Sequence, residues 1–405
     1  MKHIVIIGGG AAGLLAANYA KTEKTLVTIL EKNPICGKKI LATGNGKCNY
    51  WNQNQDLKHY HSSNEELINE IITDKNKQEI MSFFNKLGIY PKIKNGYYYP
   101  ASNQATTIKD ALIKEVLRKN INIKNNTIVE KIEKQNNEFK IYTTNEMITA
   151  DKVIVATGSK ASPKTGSDGL GYKILKRFNH QIIEPLPALV QLKTTGKYLE
   201  KWAGIRTDVE VSLYENDNLI RTETGEIQLT NYGISGICVF NLSRYVSIGL
   251  SKNKKEQVKI NFLPFLTNPK EELNNFISNQ PKRSIRTQLE GFLNSKLVDV
   301  ILTEANIKEN KSYSDLTEQE KDILINFLTQ FKTEVIGTNS FEQAQVCTGG
   351  VPLSEVNIQT MESKLVPNLY IVGELLDVDG DCGGYNLSFA WISGMLAGIG
   401  SATND

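Results

Sequence analysis

Between Val372 and Asn386 the chain reads VGELLDVDGDCGGYN, which sets four carboxylates, Glu374, Asp377, Asp379 and Asp381, among four glycines, Gly373, Gly380, Gly383 and Gly384. Oxygen ligands at this density suit a calcium loop, which places ligands at positions 1, 3 and 5, a turn glycine at 6 and a bidentate Glu at 12. Counted from Asp377, the glycine falls at position 4 and Ser388 occupies position 12, so the metal reading fails on spacing. The five cysteines, Cys36, Cys48, Cys238, Cys347 and Cys382, form no Cys-x-x-Cys pair, which argues against a zinc ribbon, a redox dithiol or a secreted disulfide frame. His59 and His61 share one side if their segment is a strand, but no third ligand is evident. No metal site and no Ser/His/Asp set is expected, and the catalytic residues stay unassigned.

A second constellation lies at the other end of the chain. Ile4 to Ile7 is an unbroken apolar run, the mark of a strand covered on both faces. It leads into Gly8-Gly9-Gly10-Ala11-Ala12-Gly13, a G-x-G-x-x-G pattern, and then into an Ala- and Leu-rich helix ending near Lys21. In such a turn Gly8 permits the tight bend, Gly10 lets a pyrophosphate approach the backbone and Gly13 lets helix and strand pack closely. The helix N-terminus offers free N–H groups and a positive dipole end to the phosphates. A second strand, Leu26 to Leu30, ends at Glu31, 18 residues after Gly13. A carboxylate there accepts from both ribose hydroxyls of an adenosine and repels a 2′-phosphate, which favours FAD or NAD over NADP.

The elements that follow separate these two cofactors. Lys38, Lys39 and Lys47 are interleaved with Gly37, Gly44 and Gly46, a stretch whose glycines let the backbone wrap a ligand and whose lysines bring charge to phosphate or an anionic ring. Residues 128–153 alternate, with turn signals near Asn136 and Asn145, and read as a small antiparallel meander. Val153 to Ala156 then forms a buried strand ending in ATGS. A meander crossover, an ATG turn and a late glycine/acid segment are typical of FAD proteins.

On GGGAAG, GKKILATGNGKCN, ATGSKASPKTGSDGLGY, GEIQLTNYGISG, TGGVPLSEVNIQTMESK and GELLDVDGDCGGYNLSFAW, the sequence resembles a bacterial family of FAD-dependent oxidoreductases that includes aminoacetone oxidase and a bile-acid Δ4,6-reductase. Where that family commonly carries Gly-Gly-Gly-Arg-Cys-Asn, this chain has Gly44-Asn45-Gly46-Lys47-Cys48-Asn49, which keeps the charge and loses the planar guanidinium fork. The resemblance implies FAD contacts from Gly8, Gly10, Ala11, Ala12 and Gly13, from Glu31 and Lys32, and from Lys38, Lys39 and Thr43 through Asn49. It implies further contacts from Val129, from Ala156, Thr157 and Gly158, and from Gly373, Glu374, Asp377, Gly384, Tyr385, Asn386 and Leu387. It also returns the terminal segment to the first sheet, with NLYIVGE as last strand and Asn386 to Ala397 as last helix. The opening carboxylates then serve the flavin, Asp377 at the ribityl hydroxyls with Glu374 next, while Gly383 and Gly384 let the backbone pass the ring.

The expected fold is α/β: a Rossmann-like FAD-binding domain with a β-meander crossover, interrupted by an antiparallel, barrel-like insertion and a helical part. The expected boundaries are 1–186 and 345–405 for the FAD domain, 187–264 for the β insertion and 265–344 for the helical part. Short alternating strands are read from about Pro187 to Leu250. EQEKDILINFLTQF sets Ile323, Leu324, Phe327, Leu328 and Phe331 on one helix face. Asn231 to Gly236 reads equally as a strand-to-helix turn or a flavin-facing motif, and Tyr97, Tyr98 and Tyr99 as strand core or pocket wall.

With 405 residues, 40% hydrophobic and 22% charged, the chain suffices for two or three domains. Its formal charge of +3 comes from scattered residues, so no nucleic-acid stripe is expected. Residues 1–20 are too glycine-rich for a membrane span and have no leader pattern, so cytoplasmic residence without membrane contact is expected. The chain lacks a second G-x-G-x-x-G after a strand, leaving open whether NAD(P)H docks transiently on the flavin or oxygen reoxidises it. The partner expected is a small organic molecule, at a site lidded by the insertion. The alternatives are a flavoprotein acting on RNA and a non-catalytic flavin binder. The sequence does not set the oligomeric state.

Overall fold

The computed structural model describes residues 1–280 and 282–403. The chain divides into two compact units, Met1–Leu186 with Gln345–Asp405, and Pro187–Ala344. In the first unit, strand β1 (Lys2–Ile7) leads to helix α1 (Ala11–Ala20), then come β2 (Thr25–Leu30), β3 (Asn122–Lys124), β4 (Lys152–Val155) and β5 (Leu369–Ile371). They pair in the order β5-β4-β1-β2-β3, and two short antiparallel strands, Val356–Asn357 and Glu362–Ser363, extend the edge beyond β5. Val5 stands opposite Val153 on one side and Thr28 on the other, both in parallel register. Such crossovers need a covering layer on each face. The glycines of the last helix, α2 (Tyr385–Thr403), supply close packing for one: Cβ atoms at Gly394 and Gly398 would meet the Ala12 and Ala16 carbonyl oxygens at 2.4 and 2.5 Å. The meander is present as Val129–Gln135, Glu138–Thr143 and Met147–Ala150, hydrogen-bonded in sequence. α2 starts one residue before the expected Asn386 and runs six beyond Ala397, and no described helix is long and apolar enough to cross a membrane.

The second unit is a closed six-stranded barrel with helices. Two expectations are corrected here. Ile237–Ser251 is a helix, not a strand: its apolar residues recur with helical spacing, burying Cys238, Val239, Leu242 and Val246. The stretch read as purely helical ends in a strand, Phe331–Thr338, which closes the barrel against Glu256–Asn261 and Leu192–Thr194. Phe331 therefore leaves the face assigned to the preceding helix, Glu318–Thr329, where Leu324 and Leu328 are buried while Ile323 is exposed. Asn231 to Gly236 forms a hairpin end, a short strand (Gly233–Ser235) and a turn into the following helix.

Candidate functional site

The three fingerprint glycines meet three different constraints. Gly8 has φ +102°, and a Cβ there would lie 2.5 Å from the Ala156 carbonyl oxygen. A Cβ at Gly13 would lie 2.0 Å from the Gly8 carbonyl oxygen, so any side chain would push α1 off β1. At Gly10 a Cβ would meet nothing within 4 Å, and the first amides of α1, at Ala11 and Ala12, have no side-chain cap. That open ground in front of a helix N-terminus has the shape and the electrostatics a pyrophosphate requires.

Glu31 sits at the end of β2, 6% exposed. Its Oε2 accepts the Gly9 N–H at 2.8 Å, and Oε1 accepts the backbone N–H and side-chain amide of Asn33 at 2.8 and 2.7 Å. An ionised carboxylate offers about four lone-pair sites, so with three donors in place Oε2 keeps one for a ribose hydroxyl. Val129, buried, opens the meander next to this end, where the Thr127 N–H donates to the Glu31 carbonyl. Lys32 turns away to Asp168, 2.6 Å distant. Cys36 lies under Gly9, its thiol pushed up to about 12 by burial and then by the Glu31 charge, so it is no nucleophile.

The stretch rich in lysine and glycine makes a short helix, Lys38–Ala42, and then a left-handed turn. Gly44, Asn45, Gly46 and Cys48 have φ of +55°, +52°, +79° and +58°. Two of these are not glycine, and holding an L-residue there costs on the order of 1 kcal/mol each. Thr43 ties its hydroxyl to the Ile40 carbonyl, Gly44 to Lys47 are exposed, and Cys48 is buried with its thiol pushed up to about 12. Asn49 Oδ1 is buried without a hydrogen-bond partner, an arrangement that is costly unless something donates to it. Lys39 is committed to Glu374, 2.7 Å away, and Lys38 reaches Asn33 Oδ1 at 3.5 Å.

Ala156, Thr157 and Gly158 leave the end of β4 beside Gly8, with Gly158 at φ +72°. The carboxylates of the late loop divide their tasks. Glu374 takes Lys39 and the Ser159 hydroxyl, Asp377 Oδ2 accepts the Ser63 N–H at 2.8 Å, and Gly373 donates to Ser393 Oγ. Asn386 clamps Gly380, accepting its N–H and donating to its carbonyl. Gly384, φ +96°, passes so close to the strand Trp51–Asn52 that a Cβ would lie 2.9 Å from the Trp51 carbonyl carbon and 3.1 Å from Asn49 Oδ1. Tyr385 is buried and Leu387 packs half-buried on the core. The structure thus brings the glycine turn of residues 44–49 and the loop of residues 373–387 together, with the orphaned Asn49 oxygen between them.

A cluster invisible to sequence spacing lies beyond that loop. The strand Tyr60–His61 pairs with Asp379–Gly380, which sets Asp381 between two imidazoles. His59 Nδ1 is 3.0 Å from Asp381 Oδ2 and His61 Nε2 is 3.1 Å from Oδ1. The His59 ring stacks on Tyr385, centroids 4.6 Å apart and planes 17° from parallel. Tyr385, with Asn52, Asn54, Asn95, Gly96 and Tyr97, lines an open groove of about 440 Å³. Of the three tyrosines, Tyr97 is groove wall, while Tyr98 packs edge-on against Tyr50. Among the described residues no group of three or more His, Cys, Asp or Glu is placed to hold a metal ion.

Residues 2–400 match the family described as HI0933-like protein Rossmann domain. The chain belongs to that family. It is 39% identical over 99% of both chains to a Clostridium scindens 3-dehydro-bile acid delta(4,6)-reductase. An Escherichia coli ribosomal RNA dihydrouridine synthase is 28% identical over 96% of this chain and 95% of its own. Among solved structures, the 3-ketosteroid-delta4-(5alpha)-dehydrogenase of Rhodococcus jostii RHA1 superposes with a TM-score of 0.51 over 100% of this chain and 97% of its own, at 13% identity, and so shares the fold. This HI0933-like chain is an FAD-dependent oxidoreductase. The cradle of residues 8–13, the buried carboxylate of Glu31 and the orphaned oxygen of Asn49 fit such a dinucleotide.

Proposed function

We propose that the protein saturates a carbon–carbon double bond conjugated with a carbonyl in a small organic molecule, using FAD reduced by NADH or NADPH. The observation that carries this reading is the full-length 39% identity to the Clostridium scindens delta(4,6)-reductase. The dihydrouridine synthase relatives differ in substrate but not in bond: a dihydrouridine is a uridine whose ring double bond, conjugated with a carbonyl, has been saturated. A small molecule is favoured over RNA because basic and acidic residues are nearly balanced, 47 against 44, whereas phosphate backbones are held by clustered cations.

In this reading Glu31 holds the adenosine ribose, the N-terminus of α1 the pyrophosphate, and residues 44–49 with 373–387 the flavin end, where Asn49 Oδ1 gains its donor. Bound FAD supplies the hydride chemistry, and the protein orients it and excludes water. The test is anaerobic mixing of dithionite-reduced protein with 2-cyclohexenone, a 3-oxo-4,6-diene steroid, or uridine-containing RNA. Reoxidation by an enone, with matching loss of its conjugated absorbance, is expected. Reoxidation by RNA alone, or by oxygen alone, overturns the reading.

A further inference from the structure

We infer that His59 is the proton donor of this reaction, held in place by Asp381 and, through it, by His61; the inference rests on the proposed enone reduction. Asp381 is 3% exposed and its two oxygens face two different rings. The His61 side chain is 7% exposed, so that contact anchors the carboxylate. His59 is different. Its Nδ1 edge faces Asp381, while the side chain as a whole keeps 22% of its surface exposed. A carboxylate on one nitrogen fixes the ring's orientation and tautomer, which assigns proton exchange to the other nitrogen.

Two further contacts fix the ring in place. Asp381 donates its backbone N–H to the His59 carbonyl at 2.9 Å, so carboxylate and imidazole are joined through the main chain as well. Stacking on Tyr385 sets the plane of the ring, and Tyr385 is a wall of the groove. Tyr385 itself is a poor proton donor, because burial, then Tyr97 and the Asp381 charge, push its hydroxyl well above the ordinary tyrosine value. His59 thus lies against this wall through Tyr385, with one nitrogen oriented and its side chain partly exposed.

The step balances as follows. FAD, held by residues 8–13, Glu31 and residues 44–49 and reduced by NADH or NADPH, would supply the hydride for the C–H bond at the carbon β to the substrate carbonyl. The π electrons of the double bond form the second C–H bond at the α-carbon with a proton from His59 Nε2, whose N–H pair stays on nitrogen. Water returns the proton to His59. Proton transfer from a positioned group contributes roughly 10²- to 10⁴-fold.

The experiment compares holoprotein of wild type, His59→Ala and Asp381→Asn. Reoxidation of reduced His59→Ala by 2-cyclohexenone should fall by about 10²-fold or more, recover partly with added imidazole, and leave bound FAD and reoxidation by ferricyanide, which takes electrons alone, unchanged. In oxidised wild type, where nothing turns over, 2-cyclohexenone should shift the ¹⁵N signal of His59 Nε2 and not those of His180. Asp381→Asn should abolish the single-tautomer signature of His59 in the same spectra. A rate within threefold of wild type in His59→Ala, a loss shared by ferricyanide, or a silent His59 signal overturns the assignment. A shifted His59 signal without enone turnover in wild type would instead sink the proposed reaction and leave His59 as a ligand contact.

Discussion

His180 and His59 both lie in the first unit, and both face a carboxylate through Nδ1. At His180 both ring edges are closed: Nδ1 is 2.6 Å from Glu355 Oε2 and Nε2 is 2.8 Å from Ser363 Oγ. Ser, His and Glu in that order have the outline of an activated nucleophile. Yet Ser363 is 5% exposed, and its hydroxyl oxygen already accepts the N–H groups of Leu365 and Val366. Glu355 likewise accepts the N–H of Gln181. The cluster is a clasp that ties three chain segments together. At His59 one edge faces Asp381, the side chain is 22% exposed, and the ring stacks on Tyr385, a wall of the groove. Distance alone does not separate structure from chemistry here; exposure of the ring does.

The comparison breaks if the clasp can be removed without consequence. His180→Ala takes a fully buried ring away from Glu355 and Ser363, which keep only their backbone donors, and the lost packing and hydrogen bonds cost about 3 kcal/mol. Urea unfolding should show that loss, while FAD content and enone turnover per folded molecule stay at wild-type level. A stability change under about 0.5 kcal/mol would remove the clasp from the account.

Glu256, in the barrel, is the limiting case of a buried carboxylate with no histidine. It is 2% exposed and neither oxygen has a hydrogen-bond partner. Burial first and then the Glu215 charge push it up to about 7, against the opposing pull of Lys254. The folded chain therefore holds this proton where the unfolded chain, titrating near about 4.3, has lost it. Stability is full below the unfolded value, falls as pH rises towards about 7 and stays low above it. Glu256→Gln keeps the shape without the charge and should add about 2 kcal/mol at pH 8 and almost nothing near pH 4.5. Equal gains at both pH values in urea unfolding would show that the carboxyl is not titrating there.

Glu31 lies between these extremes, because three N–H groups satisfy most of it and one acceptor site stays free on Oε2. If that site binds ribose, Glu31→Ala removes a charge-assisted bond of roughly 1.5 to 3 kcal/mol and should weaken FAD about tenfold or more in flavin titration. Unchanged affinity would confine Glu31 to its contacts with Gly9 and Asn33.

Much of the cofactor unit is legible in sequence because its constraints are local. A turn that needs glycine at Gly8, Gly10 and Gly13 writes itself into six consecutive residues, and a strand buried on both faces writes itself as Ile4 to Ile7. The barrel is less legible. Ile237–Ser251 follows a short strand and a glycine turn, and Phe331 sits where helix periodicity and strand alternation both accept it. The open cluster is not legible at all. His59 and Asp381 are 322 residues apart, and only the pairing of Tyr60–His61 with Asp379–Gly380 brings them together. The same holds for His180 and Glu355, 175 residues apart, so isolated histidines in this chain say nothing until the sheet edges are known.

The smallest effect expected is also the sharpest test of the contrast between the two histidines. His59→Ala removes a ring that is 22% exposed and stacked on one face against Tyr385. Asp381 keeps His61 as its partner, and the ring removed is partly exposed where that of His180 is fully buried. The lost stacking and one hydrogen bond to a partly solvated ring amount to about 1 kcal/mol or less. Urea unfolding should therefore place His59→Ala within about 1 kcal/mol of wild type and well above His180→Ala. If His59→Ala proved as destabilising as His180→Ala, the exposure of His59 would count for nothing energetically, and its cluster would be a second clasp.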